Sequence, residues 1–328
     1  MRNAFKNIFI DKYTTKDKPA WEDFISKSNN GTMFHQQTFL DYHESGKFDF
    51  THYIISCNDK IVSVLPGAYT NNNTNYWSPV GSSYGSLVTG DIPFELALNI
   101  VDAVLKYFRD KKIHEIYLIP PPLIYNIKFN QHIEYAMLYR KFGFEYHYIS
   151  HAIDLTNESN LKKNYQSRAR TMINHILKNS DFEIREEKNY EEFYPILLKN
   201  KLKHNATPTH SLRDLYVLEN LIPEKLKLFI AYYKNKVVGG HLLFLPNKNV
   251  SLCFYNAMDY DYDFLDIGYA LVNYAAEWSV KNNYKWYDIG VSQDTSSDDP
   301  MTPSLPLIYF KEKFGARGIF RSTFCYKF

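Results

Sequence analysis

Three landmarks recur in the same order in the two halves of this 328-residue chain. Asn58-Asp59-Lys60-Ile61-Val62 is matched by Lys234-Asn235-Lys236-Val237-Val238. Ile116-Tyr117-Leu118-Ile119 is matched by Trp286-Tyr287-Asp288-Ile289, and Lys141-Phe142-Gly143 by Lys313-Phe314-Gly315. Each landmark returns after about 170 to 176 residues, a period too long for a solenoid repeat. The spacing restricts the chain to two copies of one domain, 1–150 and 151–328. Each copy is long enough to bury a core of its own. The seam between two similar lobes is a favoured place for a ligand site.

Charge narrows the choice of partner. With 38 basic and 36 acidic residues the formal net charge is +2. That balance argues against a duplex DNA binder driven by phosphate neutralisation. The three cysteines, Cys57, Cys253 and Cys325, show no C-x-x-C spacing. They read as reduced thiols of a cytoplasmic protein. Cys253 lies in an apolar run, where core filling competes with a nucleophile. The segment Met1–Asp11 lacks the apolar stretch of a secretory signal, and no run approaches the ~20 apolar residues of a membrane span.

The pattern of elements points to an α/β or α+β fold with a mixed sheet. In the first half, alternating runs over 51–56 and 61–69 flank the Asn58-Asp59 turn, as in a hairpin. Pro93 opens a helix with Leu96, Ile100, Val104, Leu105 and Phe108 on one face. A buried strand over 113–119 ends at Pro120-Pro121-Pro122. The second half begins with a helix over 160–178, whose basic residues form a solvated face or a rail for an anionic substrate. Two further helices follow, 191–201 and 212–221. Strands over 226–233, 237–245 and 250–257 lead to a helix over 268–282, a strand over 285–290, a polar loop, a short helix reaching Gly315 and a strand over 318–326.

Two segments carry candidate chemistry. Tyr255-Asn256-Ala257 precedes a helix opened by Ile267-Gly268-Tyr269-Ala270. A helix start offers backbone N–H groups, and a glycine there admits an oxygen-rich ligand. A close-packed helix start explains the same residues. Further on, Tyr309-Phe310-Lys311 and Phe314-Gly315 place a lysine between aromatics beside a flexible acidic loop. Such a lysine can face a phosphate or a developing oxyanion, or lie at the surface beside core phenylalanines. His204, Thr207, His210 and Arg213 cluster near a helix start without zinc-ligand spacing. The loop Asp294-Thr295-Ser296-Ser297-Asp298-Asp299-Pro300 lacks EF-hand spacing and reads as a lid or a solvated loop. No metal site is expected.

The order of these motifs resembles the Fem-type branch of the GCN5-related N-acetyltransferase superfamily. The resemblance spans nearly the whole chain and is concentrated in 236–315. It implies two tandem acetyltransferase-like lobes, a supportive first lobe and a catalytic second one. It implies transfer of an acyl or aminoacyl group from an activated ester or thioester to an amine. The co-substrate would be acyl-CoA or aminoacyl-tRNA, with no tightly bound cofactor. The acceptor would be a small amine or a nucleotide- or sugar-linked one, with a place in cell-envelope biosynthesis. The family's Phe-Lys pair falls on Phe310-Lys311, so the resemblance carries a role near the reacting groups to Lys311. Ordinary CoA-dependent members have glutamine or arginine where this chain has Leu265, which puts standard CoA binding in doubt.

Amide formation needs a neutral amine, a stabilised oxyanion and a protonated leaving group. Lys311 is expected to stabilise negative charge, Tyr255 or Tyr269 to protonate the leaving group, and Asp288 to orient or deprotonate the amine. Asp288 also reads as a cap of the turn after it. Ile267, Gly268, Tyr269 and Ala270 are the candidate donor-binding residues. Arg213 and Tyr216 share a helix face that could meet an acceptor phosphate. His35, and Tyr84 in the turn 82–86, would lie near the groove between the lobes if the lobes pack as in the family, and join Asn256, Ser292 and Phe310 as candidate substrate-binding residues. Transfer from aminoacyl-tRNA to a peptidoglycan precursor, and a double-lobed binding protein without activity, are the competing readings.

Overall fold

The computed structural model describes residues 7–156, 158–203, 206–294 and 296–328. His204 and Thr295 lie outside the described residues. The chain divides into two compact units, Met1–His147 with Arg321–Phe328, and Tyr148–Phe320.

In the first unit, β1 (Ile8–Lys12), α1 (Lys18–Lys27) and α2 (Gln37–Leu40) precede the strands β2 (Tyr53–Cys57) and β3 (Lys60–Leu65). Asn58 and Asp59 join β2 to β3 with φ values of 49° and 61°. This left-handed pair is what a two-residue hairpin turn demands, and Asn and Asp tolerate it best among non-glycine residues. Strands β4 (Ala68–Thr70), β5 (Asn75–Ser78) and β6 (Val88–Thr89) follow, then α3 (Phe94–Asp110), β7 (Glu115–Leu118), α4 (His132–Tyr139) and β8 (Gly143–Asp154). The apolar face of α3 buries Leu96, Ile100, Val104, Leu105 and Phe108 against Ile116 and Leu118 of β7. One run expected over 61–69 is two strands, because Pro66-Gly67 interrupts the ladder.

The second unit contains α5 (Ser167–Leu177), β9 (Phe182–Glu186), α6 (Tyr190–Lys203), α7 (Leu212–Leu221), β10 (Leu226–Tyr233), β11 (Lys236–Phe244) and β12 (Val250–Met258). It closes with α8 (Ile267–Lys281), β13 (Trp286–Val291), α9 (Leu305–Glu312) and β14 (Arg317–Lys327). The β10–β11 turn, Lys234-Asn235, has φ values of 49° and 61°, the same pair as its counterpart in the first unit. The helix expected over 160–178 is broken: a 3-10 turn ends at Asn164 and α5 begins at Ser167.

The strand order in this unit is β8-β13-β12-β11-β10-β9. Neighbours run antiparallel except β12 and β13, which run parallel. The sheet is therefore mixed, as the sequence implied. Helix α8 lies against it, burying Ala270, Leu271, Ala275 and Ala276 with Phe229, Val238, Leu243 and Tyr287. Small residues on α8 let the helix approach the sheet closely, and Gly239 on β11 does the same from the other side. A Cβ there would stand 2.9 Å from Ile267 and 3.0 Å from the Ala257 carbonyl.

The division into units falls inside strands. The chain leaves the first unit within β8 and returns to it within β14. Residues 150–154 of β8 pair with β13, and residues 324–327 of β14 pair with β7.

Candidate functional site

Strands β12 and β13 pair over only three residues: Val250 with Trp286, Ser251 with Tyr287, and Leu252 with Asp288. Two irregularities end the ladder there. On one side, the register between β11 and β12 shifts at Leu242/Leu243, leaving Phe254 as an extra residue on β12. On the other, the register between β13 and β8 shifts between Asp288 and Val291. Gly290 lies in that shift with φ of +81°, a conformation side chains rarely adopt. The parallel pair thus opens beyond Leu252 and Asp288. Parted strands present backbone N–H and C=O groups that a continuous ladder would have consumed.

Lys311 closes one edge of this opening. Helix α9 carries it inward, and it is 2% exposed. Its Nζ donates to the carbonyls of Gly290 and Val291 at 2.7 Å each and to Ser292 Oγ at 2.9 Å. An ammonium has three donors, and all three are engaged. Burial pushes its pKa down to about 8, while the Asp288 carboxylate opposes that shift. Ser292 Oγ lies 2.9 Å from His151 Nδ1. Burial, aided by the Lys311 charge, holds His151 down at about 4.

Asp288 is fully buried. Its Oδ1 accepts from Ser150 Oγ at 2.8 Å and from the Gly290 N–H at 2.7 Å. The second bond makes Asp288 the cap of the turn that follows it, and the first ties β13 to β8. Cys253 is a protonated thiol at neutral pH, its pKa pushed up by burial to about 12. This removes the attacking thiolate a nucleophile needs. A buried chain links the neighbouring strands: Tyr287 Oη bonds His241 Nε2 at 2.8 Å, and His241 Nδ1 bonds Asn256 Oδ1 at 3.1 Å.

Tyr255 is 3% exposed. Its hydroxyl accepts from the backbone N–H of His210 at 3.1 Å and lies 3.1 Å from His210 Nδ1. Burial pushes its pKa up to about 12, with hydrogen bonds from His210 and Thr209 opposing. The Lys201 ammonium lies 5.8 Å from its ring centroid.

The start of α8 is close-packed. Ile267, Gly268, Tyr269 and Ala270 are all buried, and so is Leu265. A Cβ on Gly268 would meet the Met258 methyl at 2.8 Å and Phe310 at 3.7 Å. The Met258 thioether is flexible and can swing aside. Lys313 donates to the Tyr269 hydroxyl at 3.0 Å, and the Tyr269 ring packs on Phe310 and Phe314.

The other sequence candidates have contacts of their own. His35 is fully buried in the first unit, where its Nδ1 accepts from the Thr32 N–H and its Nε2 faces the Gly85 carbonyl at 3.0 Å. Tyr84 is buried between Phe34 and Tyr125, under the Arg321 guanidinium. Arg213 and Tyr216 are exposed on α7, with the Tyr216 ring edge-on to Tyr190. The acidic loop is tied by its own bonds, Asp294 N–H to the Thr302 carbonyl and Ser297 Oγ to Thr302 Oγ1. Among the described residues no group of three or more His, Cys, Asp or Glu could hold a metal, and no helix is long and apolar enough to cross a membrane.

The sequence reading missed His151, Ser150 and His241. Residues 143–154 were not recognised as a strand, because residues such as His147 and Ser150 interrupt the apolar alternation of β8.

No family model matches the chain, and no curated protein sequence matches it. Solved structures do. FemX superposes with a TM-score of 0.70 at 11% identity, over 98% of this chain and 97% of that one. The fold is that of the Fem-type tandem acetyltransferase proteins. The C-terminal domain of a putative lysylphosphatidylglycerol synthetase from Agrobacterium fabrum gives 0.59 at 9% identity, over 94% and 91% of the two chains. A tandem GNAT protein from the clavulanic acid biosynthesis pathway gives 0.54 at 8% identity, over 98% of each.

Proposed function

We propose that this chain is an amide-forming acyltransferase. It moves an acyl or aminoacyl group from an activated ester or thioester to the amine of a small or nucleotide- or sugar-linked acceptor. The observation that carries this reading is the opening between β12 and β13, edged by a buried lysine and followed by α8. Parted strands supply N–H groups to a donor's carbonyl oxygen without water competing for them, which is where electrostatic catalysis gains most. Tyr255, a neutral phenol at pH 7, is the candidate acid for the leaving group. Its oxygen already takes an N–H bond that would stabilise the phenolate. Asp288 orients the end of β13, and Lys311 fixes the carbonyls of Gly290 and Val291. The unit Tyr148–Phe320 is the catalytic one on this reading, and the unit built on Met1–His147 supports it.

Acyl-CoA is the favoured donor. The tandem GNAT neighbour is named in a structure without AcCoA, and this chain's charge balance offers little general attraction for tRNA. Met258 stands over Gly268 at the start of α8, so the pyrophosphate of acyl-CoA would require that flexible thioether to swing aside. The deciding experiment offers the full chain acetyl-CoA or charged tRNA together with a panel of amines, and looks for a new amide by intact mass. Product from acetyl-CoA supports the reading. Product only from charged tRNA would move the donor to that class. Absence of amide from every pair, with a folded protein, leaves the double-lobed binding protein as the better reading.

A further inference from the structure

We propose that Lys311, Ser292 and His151 form a one-way hydrogen-bond relay that reserves the Nε2–H of His151 for an oxygen of the acyl group in transfer. The inference rests on the acyltransferase reading for the identity of that oxygen, and on geometry alone for the relay. Direction follows from donor chemistry. An ammonium only donates, so Ser292 Oγ must accept from Lys311 at 2.9 Å. The hydroxyl proton then needs an acceptor, and the group within reach is His151 Nδ1 at 2.9 Å. A histidine whose Nδ1 accepts carries its proton on Nε2 when neutral. Burial and the facing Lys311 charge keep the ring neutral at pH 7, its pKa at about 4.

Among the described residues nothing uses that proton: Nε2 of His151 has no hydrogen-bond partner. Of the three other buried histidines held near pKa 4, His35 and His241 engage both ring nitrogens, while His52 accepts the Gly67 N–H at Nδ1. The relay also sits beside the register shift between β13 and β8: Ser150, next to His151, pairs with Val291 just past the shift, and the Ser292 N–H bonds the Ile149 carbonyl. A neutral imidazole donor suits a carbonyl oxygen that becomes anionic. It strengthens its bond as charge develops and surrenders no proton, so no covalent step passes through His151.

The relay is tested by the nitrogen-15 spectrum of the histidine rings in the full chain, with His151 assigned by its loss in His151→Gln. The expected spectrum has a protonated Nε2 and a bare, hydrogen-bonded Nδ1 at pH 7. In Ser292→Ala the single tautomer gives way to a mixture. A protonated Nδ1 in the native protein, or an unchanged tautomer in Ser292→Ala, overturns the relay. The use of the proton is tested by titrating acetate, which presents oxygens on a carbonyl carbon. A saturable shift of the Nε2–H signal is expected, and its absence counts against the donor role. With a productive donor and amine, His151→Phe is expected to lower kcat about 100-fold at nearly unchanged KM. His151→Gln, which keeps an N–H, should retain more activity. Turnover of His151→Phe within about threefold of native would refute the role. Absence of amide from the native enzyme would count against the acyltransferase reading instead, leaving the spectrum and the acetate titration to decide the relay.

Discussion

The hydroxyl of Tyr255 receives the backbone N–H of His210 at 3.1 Å, so one side chain on β12 holds the segment leading into α7. Tyr255→Phe removes that acceptor and leaves a buried N–H without it. The expected loss is about 1–3 kcal/mol, with faster amide exchange from residue 206 to Ser211. Hydrogen-exchange mass spectrometry checks this. Unchanged exchange there would mean the segment is held by other bonds.

Lys311 satisfies three acceptors at once. Lys311→Met keeps the length of the side chain and strands those acceptors in a buried place. The removed charge returns some desolvation cost, so the net loss is about 2–4 kcal/mol. Urea unfolding at pH 7 reads it. A variant as stable as native would show that the two carbonyls find water.

Four histidines, His35, His52, His151 and His241, are held near pKa 4, burial being the first cause in each. The unfolded chain binds protons at these sites below about pH 6.5, while the folded one stays neutral. Their contribution is therefore complete above that pH and is lost as acid approaches pH 4. For a fully buried one such as His241 the loss reaches roughly 3 kcal/mol. The urea midpoint should fall steeply between pH 6.5 and 4, and less steeply in His241→Gln. A flat midpoint over that range would contradict the buried neutral state.

Gly85 is confined by backbone. A Cβ there would lie 2.5 Å from the nitrogen of Pro79 and 2.6 Å from the carbonyl carbon of Ser78, atoms that cannot rotate away. Its carbonyl also faces His35. Gly85→Ala is expected to cost about 3 kcal/mol through forced backbone shifts. A thermal melt within a degree or two of native would show the turn to be pliable.

The sequence offers Tyr84, in the turn 82–86, as a candidate substrate-binding residue. In the fold the turn's side chains and carbonyls are used by His35, Phe34 and Arg321. Short polar runs serve internal hydrogen bonding and ligands equally well, so composition could not separate the two. The α8 start has the same ambiguity. A glycine with an alanine two residues on suits both ligand approach and the packing of a helix onto a sheet, and here the neighbours of Gly268 are Met258 and Phe310.

The sequence by itself pointed to two lobes, the mixed sheet, the paired hairpin turns at Asn58-Asp59 and Lys234-Asn235, and Lys311 as a residue of interest, without deciding that Lys311 faces inward. These rest on local rules: turn dihedrals, apolar periodicity and residue order. Only the tertiary structure decided that β12 and β13 part after three pairs, that β8 crosses from one unit to the next, and that His151 meets Ser292 and Lys311. Those partners stand 141 and 160 positions from His151 in the chain (292 − 151 and 311 − 151). Contacts at such separation leave no period in the sequence. They form because burying an ammonium requires three acceptors, and only the folded backbone brings three together.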